Sequence, residues 1–556
     1  MRQLKNWPSL EIKTRQINDK IYGHIVLHHP LEKLVDSRAF QRLHLLKQTG
    51  LVYRVYPECE HSRFVHSLGT YELARQYMEQ LRTRQAGWNR TKRSDEDSEE
   101  IENITSADVL CVCIAALFHD IGHGPFSHLF DGEYRKRLGK SWKHEDMSTR
   151  IIDYFFLENP RIRKIFEPYL GLDDATYRQN IVFIKELINS KDILSIRNID
   201  GIEDLKQKEN ENRKSWSMKG RPIEKSFLYD IVSNAQSGHD VDKMDYLLRD
   251  SIASNVSINL NFNTIQRLIG TLRIVRDPNT GTLRIGYPSK CTNDIKAIGD
   301  ARQELHSKVY QHKTVRGMEL IMVDALVAAS PYLEYQGSDR KYKLHEVFDD
   351  VEAFLQTSDF VEQEILNSTR EELKPAKELI EKLLTRNIYK KINSREVSPL
   401  KAKNIDINNG NITLQQALDQ ITKRMLSRHE GHSEKFVVLA RDLGKGLDAE
   451  THPVVRQIFY DDNADCGDEP PVGHYVDDEF VETNYPQTAS KWEFFVLVDR
   501  SLDSQTQTMI GHSLNEAMAE ISGDQHIIYL QGRTHQSSAV RILFTQYVNE
   551  SNVVCK

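Results

Sequence analysis

Apolar residues recur at three- and four-residue spacing along residues 31–48, 68–81, 107–118, 243–252 and 302–329, the period of helices that bury one face. The pattern predicts a body that is mostly α. Residues 272–287 depart from it. There Leu272-Arg273-Ile274-Val275 and Leu283-Arg284-Ile285-Gly286 flank Asp277, Pro278, Asn279, Thr280 and Gly281, a cluster of turn formers, so a β-hairpin is expected. Beyond residue 401 the pattern changes again: residues 436–440, 492–498 and 527–530 read as strands, separated by an acidic stretch with Pro and Gly over residues 461–487. The expected architecture is a helical catalytic domain over residues 1–400 with a small β-hairpin, followed by an α+β region over residues 401–556 that serves assembly or regulation. Two charge-dense stretches, 90–103 and 203–221, read as surface insertions with solvated charges.

Composition narrows the class. Hydrophobic residues make up 39% and charged ones 28%, and no apolar run approaches the roughly 18 residues that a membrane span needs. The first ten residues lack the apolar core of a secretory signal. Six scattered cysteines, with Cys111 and Cys113 inside an apolar run, suggest neither a disulfide framework nor a zinc ribbon. A soluble protein of a reducing compartment, cytoplasmic or nuclear, is expected. The net charge of −7 argues against nucleic-acid binding through bulk positive charge, which needs clustered Lys and Arg. A small polyanionic substrate would need a local basic pocket.

The chemistry concentrates where an apolar helix runs into His119-Asp120-Ile121-Gly122-His123-Gly124-Pro125-Phe126-Ser127-His128. The glycines and proline end the helix and leave His119 and Asp120 at its terminus. One helical turn separates His119 from His123, which predicts that they share a face. A His-Asp doublet alone is weak, since the chain holds 21 histidines and a second doublet, His239-Asp240. Its company strengthens it: His66 upstream in Arg63-Phe64-Val65-His66-Ser67-Leu68-Gly69, and Asp242 downstream in Asp240-Val241-Asp242-Lys243-Met244-Asp245-Tyr246. Two imidazoles and two carboxylates form a mixed set suited to iron, manganese, zinc or a related divalent ion, with positions left for water. Further on, Arg302, His306 and Tyr310 recur every four residues with Lys313 three beyond, a basic and aromatic helical stripe. Asp242, Tyr246 and Asp250 form a second face of the same kind.

The order His, His-Asp, Asp resembles the HD-domain superfamily, and longer stretches resemble one branch, the SAM-and-HD-domain deoxynucleoside triphosphate triphosphohydrolases. The matching pieces are residues 63–69, 119–131, 143–145, 240–250 and 305–313. The likeness spans roughly residues 17–390, with no SAM domain expected ahead of it. It implies a metal at His66, His119, Asp120 and Asp242, and hydrolysis at the α-phosphorus that yields deoxynucleoside and triphosphate. His128 would be the general acid, with Asp131, His123 and His144 ordering it. A triphosphate needs local cations, for which Arg63, Lys243, Arg302 and Lys313 are the candidates, with magnesium on the phosphates. Tyr246 and Tyr310 would hold the sugar, Tyr310 crowding C2′ while Gln48 bonds the 3′-hydroxyl, and His306 and Asp250 would belong to the same substrate site.

The resemblance also implies activation by GTP or a dNTP and assembly as a homodimer or tetramer. Asp36 and Gln41 match positions that read guanine, but His44 stands where the family carries arginine, which leaves guanine selectivity open. Asn18, His24, Tyr56, Arg267, Lys308, His312 and Lys313 match the adjoining nucleotide site in identity or type. Thr49 replaces a leucine expected beside the substrate. Two other function classes stay open at this point: an HD hydrolase acting on ribonucleotides, nucleoside monophosphates or an alarmone, and a non-enzymatic scaffold that senses nucleotides or binds single-stranded nucleic acid. A product survey over a nucleotide panel separates the first, and a steep salt dependence of binding would mark nucleic acid.

Overall fold

Residues Val109 to Phe118 are ten apolar side chains in succession, and a helix apolar on every side must be buried on every side. The computed structural model, which describes residues 14–91, 104–397, 413–443, 453–461, 470–476 and 492–522, places this helix, Ser106–Phe118, in the core with none of those ten residues more than 4% exposed. Thr105 caps it reciprocally: its hydroxyl accepts the Asp108 N–H at 3.1 Å, and the Asp108 carboxylate accepts the Thr105 N–H at 2.8 Å. The Arg63–Thr91 and Asp174–Ile188 helices pack on it, and Val241–Ser254 packs on Arg63–Thr91. The protein is mostly α, as the periodicity predicts.

Two predicted helices are broken. Residues 31–48 form the short helices Leu31–Val35 and Arg38–Gln41 and a 3₁₀ turn, Arg42–Leu45. Ser37 causes the first break: it adopts an extended backbone, and its hydroxyl accepts the Phe40 N–H to start a new helix. The 302–329 stretch comprises the end of Thr292–Leu305, a widened π turn over His306–Tyr310, and Lys313–Ala329, which His312 caps through the Thr314 N–H. The continuous stripe from Arg302 to Lys313 is therefore interrupted before Lys313.

The hairpin at 272–287 is present as β3 (Arg273–Arg276) against β4 (Leu283–Pro288), with Ile274 opposite Ile285. The pattern did not predict three further elements: the hairpin β1 (Thr14–Asp19) with β2 (Gly23–His28), the short pair β5 (Glu334–Gln336) and β6 (Lys341–Lys343), and β9 (Ile458–Tyr460), which joins β4 in parallel. Two compact units result, one of residues 1–390 and 442–491, the other of 391–441 and 492–556. The break falls near 390, and the segment carrying β9 returns to the first unit. In the second, β7 (Lys390–Val397), β10 (Trp492–Val498) and β8 (Phe436–Asp442) lie in the order β7-β10-β8, with the Leu414–Arg428 and Ser504–Ser522 helices packed on each other. The strand expected at 527–530 lies outside the described residues.

The 203–221 stretch is built into the fold. Its helix, Leu205–Ser215, is capped by Asp204; Asn212 is 1% exposed and donates to the Thr280 carbonyl at 2.9 Å; Arg221 pairs with the fully buried Asp108 at 2.5 Å. Of the other insertion, residues 92–103 lie outside the described residues, and the Arg63–Thr91 helix runs up to them. Among the described residues, Cys59, Cys111, Cys113 and Cys291 are buried and unbridged, and no helix is long and apolar enough to cross a membrane.

Candidate active site

Three helix ends meet at one point. His66 stands in the first turn of Arg63–Thr91, His119 at the C-terminal end of Ser106–Phe118, and Asp242 in the first turn of Val241–Ser254. Asp240 caps the last of these by accepting the Lys243 N–H at 2.9 Å, so the second His-Asp doublet supplies a helix cap. Its His239 lies buried beside Gln457.

The four expected ligands converge. His66 Nε2 lies 3.0 Å from Asp242 Oδ1, 3.1 Å from His119 Nε2 and 3.4 Å from Asp120 Oδ2; His119 Nε2 lies 3.4 Å from Asp242 Oδ1 and 3.5 Å from Asp120 Oδ2. Both imidazoles are spoken for at Nδ1, His66 by Asp245 Oδ2 at 2.7 Å and His119 by the Ala116 carbonyl at 2.8 Å. In the neutral imidazoles those acceptors favour the Nδ1–H tautomers, which leaves each Nε2 able to ligate a cation beside two carboxylate oxygens. Donors that share one ion about 2.1 Å away stand about 3 to 3.4 Å apart, and His66, His119 and Asp242 lie at 3.0, 3.1 and 3.4 Å from one another, with Asp120 at their side. The residues fit a divalent cation. The same demand for positive charge shows in titration: burial disfavours the His66 imidazolium, yet Asp242 and Asp245 outweigh it and lift the group to about 10.

Asp245, which the sequence reading did not single out, holds this arrangement. It is fully buried and also accepts Arg249 Nε and Nη2, each at 2.9 Å, and the Tyr22 hydroxyl at 2.8 Å. The i, i+4 spacing of Asp245 and Arg249, an acid and a base on one helix face, was a usable signal. Arg63, 2% exposed, donates to Asp120 Oδ2, to Ser127 Oγ at 2.8 Å and to the Gln48 carbonyl at 3.2 Å, so it orients a ligand as well as standing near the pocket.

A second cluster lies against Asp120. The helix ends at Phe118, so His123 does not continue the His119 face; it sits past a turn, its Nε2 3.3 Å from Asp120 Oδ1 and its ring stacked on His144 at 3.8 Å. Gly122 permits this packing, because a Cβ there would overlap the His144 carbonyl and the Ser148 N–H. Asp131 bonds His144 Nδ1 and lies 3.6 Å from His128 Nδ1. His123, His128, Asp131 and His144 thus come together, with His128 exposed at the rim. Against the desolvation around it, Asp131 raises the pKa of His128 above the ordinary histidine value. Burial, with Arg63 and His144 adding to it, keeps His123 far below.

The substrate positions form a polar cage. Tyr310 donates to Asp250 Oδ2 and His61 Nε2 meets Asp250 Oδ1, both at 2.6 Å; the Tyr246 and Tyr310 rings are 6.3 Å apart and edge-on. His61 was missed by sequence reasoning, although it stands two residues before Arg63. Gln48 pairs with it through the backbone, N–H to carbonyl at 3.0 Å. Buried atoms here lack hydrogen-bond partners among the described residues: Gln48 Oε1, Thr49 Oγ1, His61 Nδ1 and His306 Nδ1. Unmet polar atoms of this kind cost stability until a ligand or water meets them. Burial depresses the His306 pKa, and the nearby Arg302, His128 and Lys243 depress it further, so cations gather on this side of a chain of negative net charge.

The ten positions assigned to an activator are all exposed or half-buried. Asn18 and His24 are register partners in the first hairpin; Asp36 pairs with Arg15, Gln41 donates to the Val35 carbonyl, and His44 stacks on Phe64 at 3.6 Å. Tyr56 donates to the Lys308 carbonyl at 2.8 Å and its ring lies 6.1 Å from that of His312. Arg267 is held by Asp294, and Lys313, exposed, begins its helix.

A helical body that gathers His, His-Asp and Asp from three helix ends defines an HD domain, and the HD domain family matches residues 63–250. The domain implies a divalent metal. Deoxynucleoside triphosphate triphosphohydrolase SAMHD1 of Gallus gallus is 33% identical over 477 residues, 85% of this chain and 70% of that protein. The Homo sapiens protein of the same name is 34% identical over 449 residues, 80% of this chain and 64% of the other. The SAMHD1 homolog of Dictyostelium discoideum is 31% identical over 384 residues, covering 69% and 60%. The chain therefore belongs to the deoxynucleoside triphosphate triphosphohydrolase SAMHD1 family of HD-domain enzymes, and it spans between 60% and 70% of the length of these three relatives.

Proposed function

We propose that the protein hydrolyses deoxynucleoside triphosphates to deoxynucleoside and inorganic triphosphate. The observation that carries this reading is the pair of His66 and His119 Nε2 atoms 3.1 Å apart beside two carboxylates, next to the His128 imidazole that stands 3.6 Å from Asp131. One half of that arrangement calls for a cation and the other for a proton donor.

His66, His119, Asp120 and Asp242 would hold the metal; two nitrogens and two oxygens suit iron, manganese or zinc. When bound, such an ion supplies Lewis acidity and a water of lowered pKa. The chain's own residues do the rest. Water oxygen bonds to the α-phosphorus as the bond from that phosphorus to O5′ breaks, and O5′ takes a proton to leave as an alcohol, a poor leaving group without one. His128 gives that proton; Asp131 keeps it charged beforehand, and His144 and His123 hold Asp131 and the surrounding space in order. Arg302, Lys243 and Arg63, with magnesium, offset the triphosphate charge while His306 stays neutral among them. Tyr246, Tyr310, Asp250, His61 and Gln48 receive the sugar, whose hydroxyl can satisfy the unmet atoms of Gln48 and His61. In-line positioning and charge neutralisation then supply most of the acceleration.

A nucleotide activator, GTP or a dNTP, and a homodimeric or tetrameric assembly belong to the same reading. The surface location of Asn18, His24, Asp36, Gln41, His44, Tyr56, Arg267, Lys308, His312 and Lys313 supports a nucleotide held between copies. The test is incubation of the protein with each of the four deoxynucleoside triphosphates, with and without GTP, followed by identification of products and bound metal. Triphosphate and free deoxynucleoside are expected. Pyrophosphate with a monophosphate, or no turnover in any metal, would overturn the assignment.

A further inference from the structure

His128 follows a loop that L-amino acids avoid. Phe126 and Ser127 both have φ of 58°, consecutive left-handed residues that are not glycine. Such conformations crowd Cβ against the backbone and persist only where their surroundings impose them. The imposing groups come from elsewhere in the chain. Asp359, between the Val351–Phe354 and Val361–Asn367 helices, accepts the Phe126 N–H at 2.6 Å through Oδ1 and the Lys47 N–H at 2.9 Å through Oδ2. Its own N–H donates to the Leu45 carbonyl at 3.2 Å. Ser127 Oγ closes the bracket, donating to the Lys47 carbonyl at 2.7 Å and accepting Arg63 Nε at 2.8 Å. Beside it, the buried Arg42 spans the Thr357 carbonyl at 2.6 Å and the His123 carbonyl at 2.7 Å.

We propose that Asp359 is a positioning residue for the acid: its carboxylate joins the 124–127 loop to the 47–48 segment, and so fixes His128 relative to the sugar-binding Gln48. One carboxylate thereby sets the distance between the group that gives the proton and the group that holds the nucleoside receiving it. The inference rests on reading His128 as the acid. It adds a residue that makes no contact with the metal ligands, the phosphates or the sugar.

The experiment compares Asp359→Asn, Asp359→Ala, Ser127→Gly and His128→Ala in the full-length protein. The readouts are kcat, KM, the pH profile of kcat, bound metal and melting temperature, with the dNTP that the wild type turns over fastest. Asn keeps one of the two acceptors and Ala neither, so kcat should fall about tenfold in Asn and about a hundredfold in Ala, with KM moving less than about twofold, as expected when reacting groups are misplaced by an ångström or so. The alkaline limb of the profile, where the acid loses its proton, should flatten in both. Ser127→Gly removes the Oγ bonds to the Lys47 carbonyl and to Arg63 while leaving the Asp359 contacts in place; it should show a kcat loss and a flattened limb, and its bound metal reports whether Arg63 still holds Asp120. This variant keeps the inference testable if the Asp359 variants unfold. If Asp359→Asn keeps kcat within about twofold, or if Ser127→Gly leaves the limb unchanged, the positioning role is refuted. If His128→Ala itself keeps wild-type turnover, the acid assignment fails, a result distinct from the other two.

Discussion

Replacing Asp245 by Asn removes one charge from the centre of the metal support and changes nothing in size. Asp245 is fully buried, and both oxygens accept: Oδ2 from His66 Nδ1 at 2.7 Å and Arg249 Nε at 2.9 Å, Oδ1 from Arg249 Nη2 at 2.9 Å and the Tyr22 hydroxyl at 2.8 Å. Whichever oxygen becomes the NH₂, two donors then point at a donor. Breaking a buried ion pair from one side costs up to about 3–5 kcal/mol; Arg249 keeps Asp19 Oδ2 at 3.0 Å as a second counterion, so the loss falls toward the lower end of that range. A further loss is specific to the metal. With NH₂ opposite His66, the imidazole moves its proton to Nε2 and can no longer ligate; loss of such an outer partner weakens metal binding about 10- to 100-fold. That factor is about 1.4–2.7 kcal/mol. Denaturant unfolding of metal-free protein measures the first effect, and metal retention against a chelator series measures the second. Earlier unfolding with wild-type metal affinity would refute the tautomer argument. Wild-type behaviour in both would refute the buried network itself.

Gly69→Ala attacks the same network from the facing helix, since a Cβ there would overlap Asp245 Oδ1 and stand 2.5 Å from Arg249 Nη2. A stability loss of about 1–3 kcal/mol, with weaker metal retention, should appear in unfolding and chelator assays. Tyr310→Ala removes the phenol that binds Asp250 at 2.6 Å and that, on the proposed function, crowds the sugar; the ratio of deoxy- to ribonucleotide turnover should fall, and an unchanged ratio removes Tyr310 as the gate. Asp108→Asn removes the buried charge that Arg221 and Lys225 reach at 2.5 and 2.8 Å, at a cost of up to about 3 kcal/mol near neutral pH. Burial alone would raise the Asp108 pKa, but the two cations carry it below the usual carboxylate range. Its contribution is therefore complete above about pH 4 and lost as pH falls through the folded-state value, so the stability gap between wild type and variant should close in acid.

The helical body and the meeting of His66, His119, Asp120 and Asp242 were legible because each rests on local pattern. An apolar run that ends at Gly122, Gly124 and Pro125 must stop somewhere near His119, whatever packs around it. The second doublet shows the limit of that logic. His239-Asp240 and His119-Asp120 are the same dipeptide, but the first precedes a helix and the second follows one, so Asp240 is consumed as a cap while Asp120 faces inward. Breaks in the 31–48 and 302–329 helices were less readable. Ser37 and His312 cap new helices only because the chain turns there, and both residues are tolerated inside helices elsewhere. Likewise, the charge of 203–221 looked solvated because sequence does not reveal that Arg221 has Asp108 as a partner more than a hundred residues away.

What stayed hidden has a common physical cause. His61, Asp245 and Asp359 act by meeting groups 189, 179 and 233 residues distant, Asp250, His66 and Phe126. A ligand set can be guessed from residue type, since few side chains bind a divalent ion, whereas any carboxylate on any loop can accept two backbone N–H groups. Catalytic geometry nonetheless depends on the second kind of contact. On the proposed function, His128 carries the proton only if it is aimed, and its aim is set by a backbone conformation that the loop's own residues disfavour. Strain of that kind has to be held from outside, so the restraint is found at the end of the hydrogen bonds leaving the strained residues. Following them from Phe126 leads to Asp359, and from there to Lys47, the residue before Gln48; the acid and the sugar site are fixed relative to each other by a residue that belongs to neither.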